Sequence, residues 1–190
     1  MFSLKKLFSA AEKRPEAGDL GSAARRGDLD AVKALLGRGI SANEKDKDGS
    51  TPLMQAAQSG QVEAARILIK CDATLNDQDR NGVTALNWAA HWGFPEVVKL
   101  LVDVGAELNA QDKWGYTPLM WACHYGHMEC AKTLLDKGAS LEPKDSRGFT
   151  ALSLAESLHP EIAELIKAKA SQAAAPAATS EIKPAAPPHP

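Results

Sequence analysis

A step of 33 residues recurs through the middle of this sequence. Gly49, Gly82, Gly115 and Gly148 follow one another at that step. The same step relates Asp46, Asp79, Asp112 and Asp145; Thr51, Thr84, Thr117 and Thr150; Leu53, Leu86, Leu119 and Leu152; and Gly27, Gly60, Gly93 and Gly126. Self-similarity at a fixed period of this length is the sequence signature of a repeat protein, in which each unit packs only against its neighbours. The chain is therefore predicted to fold as a row of similar units.

Each unit contains signals for one turn and two helices. The pattern Asp-x-x-Gly, for example "DKDG", predicts a turn in which glycine supplies the positive φ. Threonine follows as an N-cap, with Pro52 or Pro118 at the first helical position, where its missing N–H costs nothing. The stretch "PLMQAAQS" then predicts a short helix ended by Gly60. A second helix begins near Val62, with its apolar residues at helical spacing.

These units resemble the ankyrin repeat. The stretches that carry the resemblance are "GSTPLMQAAQSGQVEAARILIKCDATLN", "GVTALNWAAHWGFPEVVKLLVDVGAELN" and "GYTPLMWACHYGHMECAKTLLDKGASLE". The resemblance implies an all-α ankyrin-repeat solenoid of about five helix-turn-helix units joined by short hairpin-like turns. We predict a capping unit at 16–45, units at 46–78, 79–111 and 112–144, and a C-terminal capping unit at 145–168, with both caps degraded because their outer faces meet water. The histidine usual after Thr-Pro-Leu is replaced by Met54, Asn87, Met120 and Ser153, and we expect weaker hydrogen bonding around the turns.

Two segments lie outside the predicted repeats. Residues 1–15 are an N-terminal amphipathic segment, in which Leu4, Leu7, Phe8 and Ala11 would form one apolar stripe of a short helix. This stripe either covers the end of the repeat domain or adheres weakly to an anionic membrane surface, and membrane contact is expected only through residues 1–14. Residues 169–190 are rich in alanine and proline, and we predict a disordered tail because such a segment buries too little apolar surface to offset its ordering entropy.

The aromatic residues occupy positions that vary between units. Trp88 and Trp121 align with Gln55 and Leu154, Trp92 and Tyr125 align with Ser59 and Arg26, and Trp114 and Tyr116 flank Gly115. A core requirement would recur in every unit, so we predict that these rings lie largely on the surface of the third and fourth units. In the ankyrin proteins that this chain resembles, such positions meet partners on the turn tips and the concave helix face. The alternative is that the rings stack on one another between units and stiffen the solenoid.

A row of cations accompanies the aromatic residues. Lys47, Arg80 and Lys113 recur at one turn position and predict a basic row along the turn tips, whereas the turn aspartates are assigned to local backbone hydrogen bonds. A basic rim beside aromatic residues is typical of protein-recognition surfaces. The predicted partner is therefore a protein with an acidic segment. The predicted binding residues are Trp88, Trp92, Trp114, Tyr116, Trp121, Tyr125, His91, His124, Lys47, Arg80 and Lys113.

Composition and motifs exclude several other classes of function. The net charge of -2 gives no overall basic field that would attract nucleic acid, and no G-x-S-x-G, Walker P-loop or H-E-x-x-H motif occurs. The best metal candidates are His124, His127 and Cys130, with His91 and Cys123 nearby. Because both cysteines align with core positions, we expect small buried hydrophobic residues and no metal or cofactor.

The sequence thus predicts a non-enzymatic, monomeric protein-binding adaptor. Its 3 cysteines lack the spacing of a disulfide framework, which favours a cytoplasmic compartment. Two alternative functions stay open. One is a membrane-surface scaffold anchored by the N-terminal segment; the other is an aromatic cage of Trp88, Trp92, Trp121 and Tyr125 that binds a cationic or methylated group.

Overall fold

The computed structural model describes residues 19–174, and within this range the chain forms ten α-helices and no β-strand. The helices come in five consecutive pairs. They are α1 (Leu20–Arg26) and α2 (Leu29–Gly37), α3 (Pro52–Gln58) and α4 (Val62–Lys70), α5 (Ala85–Trp92) and α6 (Pro95–Asp103), α7 (Pro118–Tyr125) and α8 (Met128–Asp136), and α9 (Ala151–Leu158) and α10 (Pro160–Ala174). The prediction of an all-helical solenoid of five helix-turn-helix units is confirmed.

The helices form two layers. The first helices of the units pack against one another in the order α1, α3, α5, α7 and α9, and the second helices pack in the order α2, α4, α6, α8 and α10. Leu86, Ala89, Leu119 and Ala122 are fully buried in this arrangement, as predicted for positions that pack between units. Burial of their apolar surface is the main favourable contribution to folding.

The starts of the first helices follow the predicted capping chemistry. The side chains of Thr51, Thr84, Thr117 and Thr150 each accept a hydrogen bond from the backbone N–H three residues later. In the first unit, which lacks this threonine, Asp19 caps α1 by accepting from the Ser22 N–H at 2.6 Å. A side-chain cap of this kind stabilises a helix by about 1 kcal/mol.

The turns between units project as hairpin tips, and adjacent tips are hydrogen-bonded to one another. The backbone N–H of Arg80 donates to the Asp48 carbonyl at 3.0 Å, and that of Lys113 donates to the Asn81 carbonyl at 2.9 Å. In the next pair of tips, the Ser146 N–H donates to the Trp114 carbonyl in the same way, at 2.9 Å. The tips therefore form a continuous, ordered edge beside the layer of first helices.

The expected weakening of hydrogen bonds around the turns does not hold for Asn87. Its amide Nδ2 donates to the carbonyl of Ala110 at the end of its own unit, at 3.3 Å, and to the carbonyl of Tyr116 in the next unit, at 3.4 Å. Its Oδ1 accepts from the Thr84 N–H at 3.1 Å. Asn87 therefore joins two units by hydrogen bonds although it replaces the family's usual histidine.

The C-terminal helix extends further than predicted. The sequence placed the end of the repeat domain at 168 and a disordered tail from 169, but α10 continues to Ala174. Lys169, on this extension, forms an ion pair with Asp136 of α8, with 2.5 Å between Nζ and Oδ1. The segment 169–174 contains three alanines and no proline, and alanine has the highest helix propensity, which is the physical reason for the difference. The predicted N-terminal segment 1–15 and the rest of the predicted tail lie outside the described residues.

Candidate functional site

The turn aspartates organise the hairpin tips, as predicted. In the fourth unit, Oδ1 of Asp112 accepts hydrogen bonds from the backbone N–H groups of Trp114 and Tyr116, both at 2.9 Å. Asp46, Asp79 and Asp145 bind the corresponding two N–H groups of their own turns. Each aspartate thus fixes the turn with one oxygen and leaves the other free for a side chain.

Two tryptophans use that second oxygen, a contact that the spacing of the repeats does not predict. The indole Nε1 of Trp121 donates to Oδ2 of Asp112 at 2.9 Å, and Trp88 donates to Asp79 in the same way at 3.2 Å. Both rings are half-buried between a first helix and its hairpin tip. Burial raises the pKa of the Asp112 carboxyl, although the three N–H donors act in the opposite direction. Trp88 and Trp121 therefore have a structural role in addition to any role in binding.

We call the surface between the first helices and the hairpin tips the tip face; its rings are those of Trp88, His91, Trp92, Trp114, Trp121, His124 and Tyr125. His91 lies among the aromatic rings of this face. The His91 ring centroid is 5.7 Å from Trp88, 5.0 Å from Trp92, 4.6 Å from Trp121 and 4.7 Å from Tyr125. Trp121 and Tyr125 are nearly parallel, at an interplanar angle of 13°. His91 connects the third unit to the fourth, so ring packing between units, the alternative raised by the sequence, occurs together with surface exposure.

The same position of His91 bears on the aromatic-cage alternative. The four rings named for the cage all lie near the imidazole of His91, with ring centroids 4.6 to 5.7 Å from its own. A cationic guest would have to displace this side chain. The geometry therefore favours a packed aromatic surface over an open cage.

The predicted binding rings differ in exposure, and Trp88 and Trp121 are half-buried. Trp92 is 50% exposed, and Trp114 and Tyr125 are each 47% exposed. Tyr116 is only 6% exposed, so the prediction of a surface ring at this position is wrong. Its ring packs against Trp121 and His124, with centroid distances of 4.5 and 5.9 Å. Only the first three rings present a large free surface to a partner.

Arg147, which was not among the predicted site residues, also contacts residues beside the tip face. Its guanidinium donates to the Tyr116 hydroxyl and, at 2.9 Å, to Oδ2 of the buried Asp145. It also lies 5.3 Å from the centre of the Phe149 ring. The sequence signal was in the fifth unit. Leu154 occupies the position of Trp88 and Trp121 there, and its side chain has no N–H to donate to the second oxygen of Asp145. Arg147 takes this place from within the turn itself.

The basic row is present on consecutive tips. Lys47, Arg80 and Lys113 are all exposed, and none of them pairs with a carboxylate of residues 19–174. The neighbouring Lys45 differs, because it pairs with Asp77 at 3.5 Å. The row therefore offers three free cations along the edge of the tip face.

The cysteines have the buried positions predicted for them. Cys123 and Cys130 are at most 1% exposed, and burial raises the pKa of both thiols to about 12. Thiols with such a pKa stay protonated near neutral pH and are poor nucleophiles and metal ligands. Across the described part of the chain, no group of three or more histidines, cysteines and carboxylates converges on one point.

Acid should destabilise the fold through the histidines of the tip face. Burial lowers the pKa of His91 and His124; nearby His127 and His124 add to the effect at His91, and Arg147 and His159 add to it at His124. An unfolded histidine has a pKa of about 6.5, so below that pH the unfolded chain binds protons that the folded chain resists. The free energy of unfolding is therefore expected to fall as pH drops through 6.5 towards the lower pKa values that the histidines have in the folded state. It should level off below those pKa values.

Thermal unfolding followed by circular dichroism between about pH 8 and pH 5 checks this expectation. The His91→Gln variant keeps a polar side chain without a titrating ring. Its melting temperature should fall less over this pH range than that of the wild type. Equal losses in the two proteins would show that His91 does not contribute to the pH dependence.

Comparison with known families agrees with this architecture. Residues 20–112 and 104–175 each match the family model described as ankyrin repeats (3 copies). Because the two matches together cover most of the chain, the protein belongs to the ankyrin-repeat family. Ankyrin repeats are generic protein–protein interaction modules, and the family is typically non-enzymatic. Among curated proteins, none matches the chain.

Length and apolar character decide whether a helix can span a membrane. None of the helices between residues 19 and 174 is both long and apolar enough to cross a bilayer. The predicted membrane-contact segment 1–14 lies outside this range.

Proposed function

We propose that this protein is a non-enzymatic adaptor that binds a segment of a partner protein on the tip face of its third and fourth units. The observation that carries the proposal is the exposure of Trp92, Trp114 and Tyr125 on a rigid framework. Exposed tryptophan and tyrosine side chains provide large contact areas at low entropic cost, and such residues dominate binding energy at interfaces.

The environment of these rings supports pre-organised binding. Tyr125 contacts His91 and Trp121, and Trp121 is hydrogen-bonded to the hairpin tip. Side chains that are already fixed lose little freedom when a partner binds. His91 and His124, also predicted binding residues, are half-buried and serve in this proposal mainly to support the exposed rings.

The partner segment in this proposal is acidic. The free cations Lys47, Arg80 and Lys113 line the edge of the tip face, where they can attract carboxylates during association. The proposal takes the chain to act as a monomer. It also takes the compartment to be reducing and cytoplasm-like, one in which the three cysteines stay free thiols.

Capture of partners from the source lysate by the full chain tests the proposal. The Trp92→Ala/Tyr125→Ala variant should lose the partner, with affinity reduced about 30-fold or more, which corresponds to a hot-spot contribution of about 2 kcal/mol. The matched control is Ile40→Ala/Val104→Ala, which removes two exposed apolar side chains that lie outside the aromatic surface.

The control should retain the partner at the wild-type level. Association should also slow as salt is raised, and a Lys47→Gln/Lys113→Gln variant should lose most of that salt dependence. A partner that both aromatic and control variants retain equally would place the binding surface elsewhere and contradict the proposal.

A further inference from the structure

Three first helices end in exposed apolar side chains that are in register. Trp92 is the last residue of α5, Tyr125 of α7 and Leu158 of α9, and each is about half exposed. The corresponding residues of the first two units are Arg26 and Ser59, which are polar. We call Trp92, Tyr125 and Leu158 the apolar row, which is confined to the third, fourth and fifth units.

The spacing of the apolar row selects among peptide conformations. Packed helices lie 8–10 Å apart, so a ligand must present one side chain about every 9 Å along one face. A polyproline II helix repeats every three residues, about 9.3 Å. A β-strand repeats on one face every 6.8 Å or so, which does not match, whereas an α-helix repeats about every 10.5 Å at i and i+7.

A free hydrogen-bond donor distinguishes the two conformations that fit. The indole N–H groups of Trp88 and Trp121 are bound to aspartates, but that of Trp92 has no acceptor within residues 19–174. The carbonyls of an α-helix are already hydrogen-bonded, whereas those of a polyproline II segment are free to accept. The apolar row therefore fits a proline-rich segment better than a helical one.

The chain itself contains such a segment. The sequence "PAAPPHP" at 184–190 has Pro184, Pro187 and Pro190 at steps of three, a spacing that would place them on one side if the segment were bound as a polyproline II helix. These three positions match the three members of the apolar row.

The segment is also close enough to reach the row. From Ala174, the end of α10, back to Leu158 is about 23 Å, given the rise of 1.5 Å per residue along α10 and the separation of packed helices. The ten residues from 174 to 184 can span about 31 Å in an extended conformation. The prolines can then follow the row from the fifth unit back to the third.

We propose that residues 184–190 bind the apolar row of their own chain, with Pro184 on Leu158, Pro187 on Tyr125 and Pro190 on Trp92. This inference rests on the proposed function, because it assigns an internal competitor to the same aromatic surface. Partner binding then requires displacement of the segment, so the tail regulates access to Trp92 and Tyr125.

Nuclear magnetic resonance of the ¹⁵N-labelled full chain tests the contact. The Trp92 indole N–H signal, assigned with the Trp92→Phe variant, should differ between wild type and a Pro184→Ala/Pro187→Ala/Pro190→Ala variant. The Trp114 indole is a matched control, because its ring is equally exposed but lies on a hairpin tip outside the row. Its signal should not change.

A synthetic peptide of residues 181–190 provides a second test of the contact. Added to the triple-proline variant at up to about 5 mM, a range comparable to the effective concentration of a short tether, it should move the Trp92 signal towards its wild-type position. A peptide with the three prolines replaced by alanine should not. The triple-proline variant should also bind the captured partner several-fold more tightly than wild type.

Identical Trp92 signals in wild type and variant, with no response to the peptide, would overturn the inference. So would a Trp92 signal that depends on protein concentration, since the occupant would then come from a second copy. If either occurs while partner capture still requires Trp92 and Tyr125, the tail contact fails and the proposed function stands. If the peptide binds but capture is insensitive to both rings, the proposed function fails instead.

Discussion

Replacing Gly115 with alanine is expected to lower the free energy of unfolding by about 3 kcal/mol, the combined cost of backbone strain and a steric clash. Gly115 has a φ of 82°, a conformation that residues with a Cβ adopt at a cost. A Cβ atom there would also lie 2.9 Å from Cα of Asp145 and 3.1 Å from the Lys144 carbonyl. These are backbone atoms of the next hairpin tip, which cannot rotate away. The substitution therefore separates the fourth tip from the fifth.

The matched control is Gly148→Ala, at the same turn position of the last unit. Gly148 has a φ of 89°, but a Cβ atom there meets nothing within 4 Å, because no other hairpin tip of residues 19–174 packs against this side of the fifth. Its cost should be limited to the backbone strain, about 1 kcal/mol. Urea unfolding followed by circular dichroism measures both variants. Equal losses would mean that contact between tips contributes little to the stability of the solenoid.

The fold could be predicted from the sequence because each unit contains residues that define its turn and helix ends locally. Turn aspartate, turn glycine, capping threonine and first-position proline act within a few residues of one another, so their spacing alone defines the helices. The 33-residue step then fixes which positions face a neighbouring unit. The predicted end of the repeat domain at 168 was too early, because alanine favours a helix and the first proline after 160 is Pro176.

The candidate site was harder to predict because burial of its rings depends on the next unit. Tyr116 and Trp114 flank the same glycine, yet one is buried and the other exposed. The position of Tyr116 is occupied by Val83 in the third unit, which is also buried, and by Phe149 in the last unit, which is 42% exposed because no unit covers it. The recurrence of an apolar residue at this position indicates burial, although the residue type varies between units.

The hydrogen bonds of Trp88 and Trp121 had an equally indirect signal. Gln55, at the same position of the second unit, donates from Nε2 to Oδ2 of Asp46 at 2.8 Å. Three units thus place a side-chain N–H donor nine residues after the turn aspartate. Glutamine and tryptophan share little except this donor, so a comparison by hydrophobicity or size does not detect the common role. The position varies in residue type while its hydrogen bond stays the same.

Truncating Trp121 to alanine is expected to lower the free energy of unfolding by about 3 kcal/mol. The substitution removes a half-buried ring that packs against Tyr116, His91 and Tyr125. It also leaves the buried Asp112 carboxylate without its side-chain donor, which carries a further desolvation cost. Trp92→Ala, which removes an exposed indole with no such hydrogen bond, should change stability by less than about 1 kcal/mol.

A Trp121→Gln variant separates the hydrogen bond from the ring packing. Glutamine donates to the turn aspartate in the second unit, so Trp121→Gln should retain about 2 kcal/mol of the stability that Trp121→Ala loses, as expected for a hydrogen bond to a charged group. Urea unfolding of the three variants measures these differences. Equal losses for alanine and glutamine would assign the whole effect to the ring. If Trp121→Ala leaves stability unchanged but abolishes partner capture, Trp121 is a binding residue and the structural role argued for it is wrong. If it lowers stability as expected, binding by the aromatic rings is better tested at the exposed Trp92, Trp114 and Tyr125, whose truncation should perturb the fold less.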